Sequence, residues 1–193
     1  MQPPYGYPQP QKSQSSSTIW IILAVVGVFA IFAIGVMASL AIFGVRKYLA
    51  DAKQAEAMNS LGEISRSAVA AYAAEGTGTS ANVLCASASR PIPASVTSVR
   101  GTKYESTTAE WQADAATNSG FFCLKFEMAS PQYYQYDYQR TGSGTKTGDG
   151  FSGIAHGDLN ADGVESTYAL GGTIDASGTV ALDPAPRVTN AGE

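Results

Sequence analysis

IWIILAVVGVFAIFAIGVMASLAIFGV, residues 19–45, decides the fold of this chain, because these 27 residues include no charged side chain. The hydrocarbon core of a bilayer is about 30 Å thick, and about 20 apolar residues in a helix cross it. The run is therefore long enough to span a membrane with some tilt. The alternative is a buried core helix, but a chain of 193 residues is too small to surround such a run. We predict one transmembrane helix over residues 19–45.

The preceding residues 1–18, MQPPYGYPQPQKSQSSST, have a different composition. They are rich in Pro, Gln, Ser and Tyr, and Lys12 is their only charged side chain. A segment with so little apolar surface cannot offset its ordering entropy by burial, so we predict a disordered tail. The apolar run that follows is too long for a cleaved secretory signal.

The helical pattern continues beyond the apolar run, over residues 46–75. This range contains no proline and one glycine, Gly62, and it is rich in alanine, a strong helix former. Its apolar residues recur at spacings of three and four, which is typical of a helix with one buried face. They are Met58, Leu61, Ile64, Ala68, Ala71 and Tyr72. We predict a single helix over residues 19–75 that docks through this stripe and is stopped by Gly76.

Residues 76–193 are rich in Gly, Ser, Thr and Tyr, and we expect them to form a β-rich head. Short runs in which apolar and polar residues alternate predict strands, with glycine-containing turns between them. The predicted strands lie at 122–128, 134–138, 151–157, 165–170 and 179–182. One face of this antiparallel sheet needs cover, and the helical stripe can supply it. The predicted fold class is α+β, a long N-terminal helix packed on a small antiparallel sheet of about four strands.

Composition and charge argue against several classes of function. The net charge is −4, whereas nucleic-acid binding needs a basic face. The chain has one histidine, His156, so it can build few of the catalytic triads and zinc sites that depend on this residue. We interpret His156 as an ordinary strand residue and Trp111 as a core or lid residue. We therefore expect no enzymatic activity, no catalytic residues and no small-molecule substrate.

A cluster of tyrosines precedes and enters the second predicted strand. The cluster consists of Tyr133, Tyr134, Tyr136 and Tyr138. One interpretation is a face that binds carbohydrate or a partner. The favoured interpretation is a set of cross-strand pairs whose hydroxyl groups are in contact with water.

The loop GDLNADG, residues 157–163, has the spacing of oxygen ligands in a calcium-binding loop. The candidate ligands are Asp158, Asn160, Asp162, the carbonyl of Val164 and the hydroxyl of Ser166. Gly163 permits the tight bend that such a loop needs. A bidentate acid is expected at the twelfth position, where Ala169 stands, so an acid from elsewhere would have to substitute. The candidates for that role are Glu165, Asp149 and Asp175. The alternative is an Asx-rich hairpin turn that is held by its own side chains.

Several pieces of the chain resemble bacterial type IV pilins. In the helix they are ASLAI (38–42), Tyr48, AKQAEA (52–57), Asn59 and Leu61. In the head they are GTKYESTTAEW (101–111), FCLKFEMASPQYYQYDYQ (122–139) and GIAHGDLNADGVESTYAL (153–170). The chain after residue 18 is similar to type IV pilins and to pseudopilins of type II secretion. In these families an apolar membrane segment continues into an amphipathic helix that packs on an antiparallel sheet.

The chain departs from these families at the position where their precursors are cleaved. Pilin precursors are cut after a glycine that precedes a phenylalanine, with a glutamate soon after. The corresponding positions here carry Ile21, Ile22 and Val26, and the helix-breaking proline of major pilins is replaced by Phe43. We therefore expect no prepilin-peptidase processing, and a permanent anchor behind the tail.

Cys85 and Cys123 are the only cysteines, and the chain has neither a CxxC motif nor a histidine cluster that could form a metal site with them. Two reduced cysteines in a cytosolic domain are one interpretation. Together with the resemblance to pilin heads, however, the pair predicts a disulfide bond and hence an oxidising compartment. The charges that flank the apolar run do not decide the orientation, and taken alone they slightly favour the opposite one, with the head in the cytoplasm. They are Lys12 before it and Arg46, Lys47 and Lys53 after it.

The resemblance implies a single-pass protein of the bacterial inner membrane. Its N-terminus would be cytoplasmic, and residues 76–193 would be a periplasmic or extracellular head. The expected function is a pilin-like structural or assembly component of a type IV pilus or type II secretion system. The expected partners are the lipid bilayer and other pilin-like or secretion-system proteins, with no nucleic acid. The alternative is a calcium-stabilised surface binding or adhesion module, and calcium is the one cofactor expected.

Overall fold

A computed structural model describes residues 16–75 and 82–191. Its contacts divide the chain into two compact units, Met1–Lys47 and Tyr48–Glu193. Most of the predicted N-terminal tail lies outside the described residues, and so does the predicted helix stop at Gly76.

The helix α1 extends from Ser16 to Glu75. It begins three residues before the predicted start at Ile19, so residues 16–18 are helical rather than part of the tail. Serine and threonine are common at the start of a helix, where their hydroxyl groups can accept hydrogen bonds from the free backbone amides of the first turn. Within the first unit the apolar side chains are exposed on all sides, as illustrated by Phe29 with 73% exposure. By length and composition, α1 could cross a membrane as a single-pass segment.

The part of α1 in the second unit buries one face, as the spacing of its apolar residues predicted. The buried apolar residues of that face are Ala57, Leu61, Ile64, Ala68 and Tyr72, and Ala71 is half-buried. The prediction for Met58 was wrong, since its side chain is 39% exposed. Each helical residue turns the side chain by about 100°, so Ala57 and not Met58 shares a face with Leu61 and Ile64.

A five-stranded antiparallel sheet forms the other layer of the second unit. Its strands are β1 (Gln135–Thr141), β2 (Gly150–Gly157), β3 (Ser166–Ile174), β4 (Val180–Leu182) and β5 (Arg187–Thr189). β1, β2 and β3 are consecutive neighbours, and both β4 and β5 pair with β3. The α+β class and the antiparallel sheet are confirmed, but β5 was missed because its three residues are all exposed and show no alternation.

The strand predicted at 122–128 was wrong. These residues belong partly to the short helix α3 (Gly120–Leu124), which ends at Lys125 in the left-handed conformation with φ 55°. Phe121 and Leu124 are buried while Phe122 is 38% exposed, which is the three-residue spacing of a helix. Over so short a run, an alternating pattern cannot distinguish a strand from a helical turn followed by a loop.

An aromatic cluster fills the core beneath α3. The ring of Trp111, which ends the short helix α2 (Thr108–Trp111), lies edge-on to Phe121 at 4.9 Å and to Phe126 at 5.4 Å between centroids. The indole N–H donates to the hydroxyl of Ser106 at 2.8 Å, so its polar group is satisfied. Trp111 is therefore a core residue, one of the two roles that the sequence suggested. Two 3-10 helices, Val96–Val99 and Ala115–Thr117, complete the connections.

A glycine in the central strand allows α1 to approach the sheet closely. A Cβ atom at Gly153 would lie 3.0 Å from Cγ2 of Ile64 and 3.3 Å from Cδ2 of Leu61. Such distances are shorter than ordinary packing, so a larger residue here would force the side chains of Ile64 and Leu61 to shift by a few tenths of an ångström.

The segment before α2 follows the free edge of β1. The amide of Ala88 donates to Tyr138 O at 2.9 Å, and Ile92 and Tyr136 exchange two backbone hydrogen bonds of 2.8 Å. The disulfide bond between Cys85 and Cys123 ties the start of this segment to α3. The predicted disulfide is therefore present, and it connects two parts of the chain that lack regular pairing with each other.

We predict that truncation of Leu61 to alanine destabilises the second unit much more than truncation of Met58. The Leu61 side chain is fully buried, so its loss leaves a cavity and should lower the free energy of unfolding by about 2–5 kcal/mol. Met58→Ala is the matched control on the same helix and should cost less than about 1 kcal/mol. Thermal unfolding of the full chain in detergent, followed by near-UV circular dichroism, measures both. Equal melting temperatures would show that the helix docks through a different face.

We also predict that reduction of the Cys85–Cys123 bond weakens this unit. The bond joins residues 38 positions apart, and its removal should cost about 4 kcal/mol in the chain-entropy model. Protein from its natural membrane should show no free thiol on alkylation before reduction and two thiols after it. A Cys85→Ser/Cys123→Ser variant should melt at the temperature of the reduced chain. Two reactive thiols without reductant would contradict both the bond and the oxidising compartment.

Candidate functional site

The loop between β2 and β3 contains the predicted calcium ligands, and it is closed by its own hydrogen bonds. The amide of Gly163 donates to Oδ2 of Asp158 at 3.0 Å, and the amide of Asp162 donates to Oδ1 of Asn160 at 2.9 Å. Oδ1 of Asp162 in turn accepts from the amide of Val164 at 2.8 Å. These are the side-chain-to-backbone bonds of an Asx-rich turn. Gly163 has φ 94°, a conformation that favours glycine.

Asp158 is also paired with a cation from another part of the chain. Its Oδ2 lies 3.0 Å from Nε of Arg100, and its carbonyl accepts from the amide of Gly101 at 2.8 Å. The side chain of Asp158 is 1% exposed, while Arg100 is 43% exposed. Oδ1 of Asp158 is buried and has no hydrogen-bond partner within the described part of the chain. A calcium ion at this carboxylate would therefore compete with the guanidinium group.

Two further positions of the predicted ligand set have partners in the sheet. The hydroxyl of Ser166, the first residue of β3, donates to Gly157 O at 3.0 Å. Ala169, at the twelfth position, is paired with Ile154 inside the sheet. Within residues 16–75 and 82–191, no group of three His, Cys, Asp or Glu residues is arranged to hold a metal ion.

Two of the acids considered as substitutes, Asp149 and Asp175, lie at the other end of the sheet and hold turns of their own. Oδ2 of Asp149 accepts from the hydroxyl of Ser143 at 2.7 Å and from three backbone amides of the β1–β2 turn. Asp175 accepts from the hydroxyl of Ser177 at 2.6 Å and from two backbone amides of the β3–β4 turn. The serine hydrogen bond and the amides lower the pKa of each carboxyl to about 2. Neither acid reaches the β2–β3 loop.

Tyr136 and Tyr138 of β1, and Tyr134 just before it, point into the core, so they do not form an accessible binding face and their hydroxyl groups are not in contact with water. The expected pairing across strands is found at Tyr138, whose ring stacks on that of Phe151 at 5.8 Å. Tyr134, Tyr136 and Tyr138 are fully buried, and only Tyr133 is half-buried. Tyr134 packs edge-on against Tyr168 at 5.6 Å, and burial raises the pKa of all three buried phenols. Alternation in the sequence identified residues that share a face, but it did not identify this face as the covered one.

His156 is positioned by its neighbour on the adjacent strand. Its Nδ1 lies 2.9 Å from Oγ1 of Thr167, with which it is paired across β2 and β3. This contact is that of an ordinary strand residue.

One hollow of the second unit lies beside the aromatic cluster and measures about 410 Å³. Its walls include Trp111, Phe121, Phe122 and Phe126, and its titratable groups are Lys125 and Glu127. The lining offers neither a nucleophile with an adjacent base nor a cluster of metal ligands. The hollow is an apolar depression rather than an arrangement of catalytic groups.

A polar junction that the sequence analysis missed lies where α1 meets the start of β1. Oε1 of Glu56 accepts the amide hydrogen of Tyr133 at 2.7 Å and lies 3.4 Å from the hydroxyl of Tyr136. Burial raises the pKa of Glu56, and the Tyr133 amide and the charge of Lys103 lower it in part. No sequence signal points to this junction, because its residues are far apart in the chain.

No family model, curated protein or solved structure matches this chain.

We predict that calcium stabilises the β2–β3 loop weakly and that Arg100 limits the effect. At ten times the dissociation constant a bound ion contributes about 1.4 kcal/mol, so the full chain should melt at a slightly higher temperature in calcium than in EDTA. Removing the competing guanidinium with Arg100→Gln should enlarge this difference. Magnesium should do less, because it gives up its water ligands reluctantly.

Asp162→Asn is the control for the calcium measurement. It keeps an oxygen that can accept the Val164 amide hydrogen but removes one of the two aspartate charges among the predicted ligands, so the calcium effect should disappear. If the melting temperature of each protein, wild type and Arg100→Gln, is the same in EDTA, calcium and magnesium, then the loop is an Asx turn that binds no metal.

Proposed function

We propose that this chain is a membrane-anchored, pilin-like structural or assembly component of a bacterial type IV pilus or type II secretion system. In this proposal residues 19–45 span the inner membrane, with the N-terminus in the cytoplasm. The head is then periplasmic or extracellular. Its partners are the lipid bilayer and other pilin-like or secretion-system proteins.

The observation that carries the proposal is the continuity of α1. One helix contains an apolar run of 27 residues and also the stripe that packs on an antiparallel sheet. This combination is the arrangement that the resemblance to pilins implies. The piece AKQAEA (52–57) lies in the docked part of α1, and the piece at 153–170 forms most of the β2–β3 hairpin.

The disulfide bond supports an extracytoplasmic location for the head. Disulfides persist in oxidising compartments and are rare in the bacterial cytoplasm. Because the bond lies beyond residue 45, the head and the N-terminal tail would be on opposite sides of the membrane. This orientation is the one that pilin-like proteins would share.

The alternative, a calcium-stabilised adhesion module, stays a prediction with less support. Its proposed contact surface was the tyrosine cluster, and three of those four side chains are buried. Its proposed metal loop already has a paired cation in Arg100.

The decisive experiment is deletion of the gene in its natural host, with complementation by the full chain. We expect loss of surface filaments or of a secreted protein on deletion, and recovery with the wild type. Complementation with Met58→Ala should succeed, because that side chain is outside the core, whereas Leu61→Asp should fail. Normal piliation and normal secretion in the deletion strain would contradict the proposal.

The intact mass of the membrane-extracted protein tests the expectation about processing. We expect a chain that retains residues 1–18. A chain that begins near Ile22 would instead show a processed subunit.

A further inference from the structure

The hollow beside the aromatic cluster has apolar walls, and one of them is accessible from outside. Three wall residues, Trp111, Phe121 and Phe126, belong to the core, but the side chain of Phe122 is 38% exposed. Among the described residues 82–191, no other aromatic side chain is exposed. An exposed aromatic ring beside an apolar hollow is typical of a contact surface, because aromatic residues are enriched in such surfaces. We call the hollow with these four wall residues the aromatic hollow.

Four polar side chains also line the aromatic hollow and form its rim. Gln112 and Asn118 carry amide groups, and Lys125 and Glu127 carry opposite charges. Within residues 16–75 and 82–191, none of these four side chains makes a hydrogen bond or an ion pair. Their donors and acceptors are therefore available to a partner.

The fold fixes the backbone that carries the two charges. The amide of Lys125 donates to Phe122 O at 3.1 Å, and the amide of Phe126 donates to Phe121 O at 3.1 Å. The side chain of Phe126 is 4% exposed and belongs to the core. Because Lys125 and Glu127 flank Phe126 in the sequence, the core holds the point from which each charged side chain starts.

The rim is complementary to a second copy of itself. One positive and one negative group give it no net charge, so it selects neither an anion nor a cation. A two-fold axis that lies in the plane of contact, between the two charges, places Lys125 opposite Glu127 of the second copy and Glu127 opposite its Lys125. The amides of Gln112 and Asn118 each contain donors and an acceptor, so they can pair in the same way. An uncharged small molecule would leave both charges unpaired.

We propose that the aromatic hollow is the contact surface of a symmetric dimer, in which the second units of two copies meet about a two-fold axis. Phe122 of each copy packs against the aromatic hollow of the other, and two Lys125–Glu127 ion pairs lie at the rim. Burial of the rings supplies most of the affinity, and the ion pairs set the orientation. This inference goes beyond the proposed function and does not depend on it, since it concerns the second unit alone.

The first test removes the exposed ring. Sedimentation equilibrium of the full chain, in an excess of density-matched detergent, gives the dissociation constant of the dimer. We expect a reversible dimer for the wild type, and Phe122→Ala should raise the dissociation constant about 30-fold, as the loss of a central aromatic contact does. Val188→Ala is the matched control and should leave it unchanged. Val188 is 42% exposed, lies on β5 and does not line the aromatic hollow.

The second test reverses the charges at the rim. Lys125→Glu alone places acids opposite acids across the dimer, and Glu127→Lys alone places lysines opposite lysines. Each variant should therefore raise the dissociation constant about tenfold. A mixture of the two variants has opposite charges at both contacts, so the mixed dimer should form about as tightly as the wild-type dimer. Energy transfer between donor-labelled and acceptor-labelled chains measures it. The double variant Lys125→Glu/Glu127→Lys should also dimerise as the wild type does.

Near-UV circular dichroism checks that each variant is folded, and if a charge variant is not, Phe122→Ala and its control decide. A wild type that stays monomeric would overturn the inference. The same dissociation constant for the wild type, Phe122→Ala and both single charge variants would also overturn it, because association would then come from another surface, such as the apolar run. Folded charge variants that are weakened but not restored by mixing would overturn it as well, since the two charges would then not face each other.

Discussion

The close approach of α1 to β2 is the contact on which the rest of the second unit depends. Leu61 and Ile64 reach the sheet at Gly153, where the absence of a side chain leaves the space they fill. A sheet with one apolar face is not stable alone in water, and here α1 covers that face. The tyrosines of β1 can be buried only because this cover exists. One glycine and two aliphatic side chains thus set the distance between the layers.

Polar groups fix the register of this contact. Near one end of the interface Glu56 binds the amide of Tyr133, and near the other the hydroxyl of Tyr72 donates to Gly178 O at 3.1 Å. Apolar packing alone tolerates sliding, whereas a hydrogen bond to a partly buried group is costly to leave unmade. Burial of Glu56 disfavours its charged form and so raises the pKa of its carboxyl group. Apolar packing at the centre of the interface therefore stabilises the docking of α1 on the sheet. The hydrogen bonds at its two ends fix the position of α1 along the sheet.

Periodicity predicted the helix and its buried face to within one position, because a long pattern averages over local exceptions. It failed at 122–128, where four apolar residues suit both a strand and a helical turn followed by a loop. It also missed β5, since an exposed edge strand need not alternate. The junction of Glu56 with Tyr133, like the pairing of Arg100 with Asp158, joins distant segments. Such contacts are set by the tertiary fold, and the local pattern of one sequence does not contain them.

The two halves of α1 differ in how their apolar side chains are arranged around the helix, although one continuous helix contains both. In the proposed membrane span, residues 19–45, every side chain can be apolar, because lipid has no polar groups that a side chain would have to meet and the backbone hydrogen bonds are closed within the helix. Beyond Tyr48 only the face towards the sheet is apolar, because water contacts the other side. The first compact unit ends at Lys47. Arg46 and Lys47 are the first charged residues after the apolar run. A substitution in the apolar run that keeps its hydropathy therefore leaves the core of the second unit unchanged, whereas a substitution at Leu61 acts on that core and leaves the length of the apolar run intact.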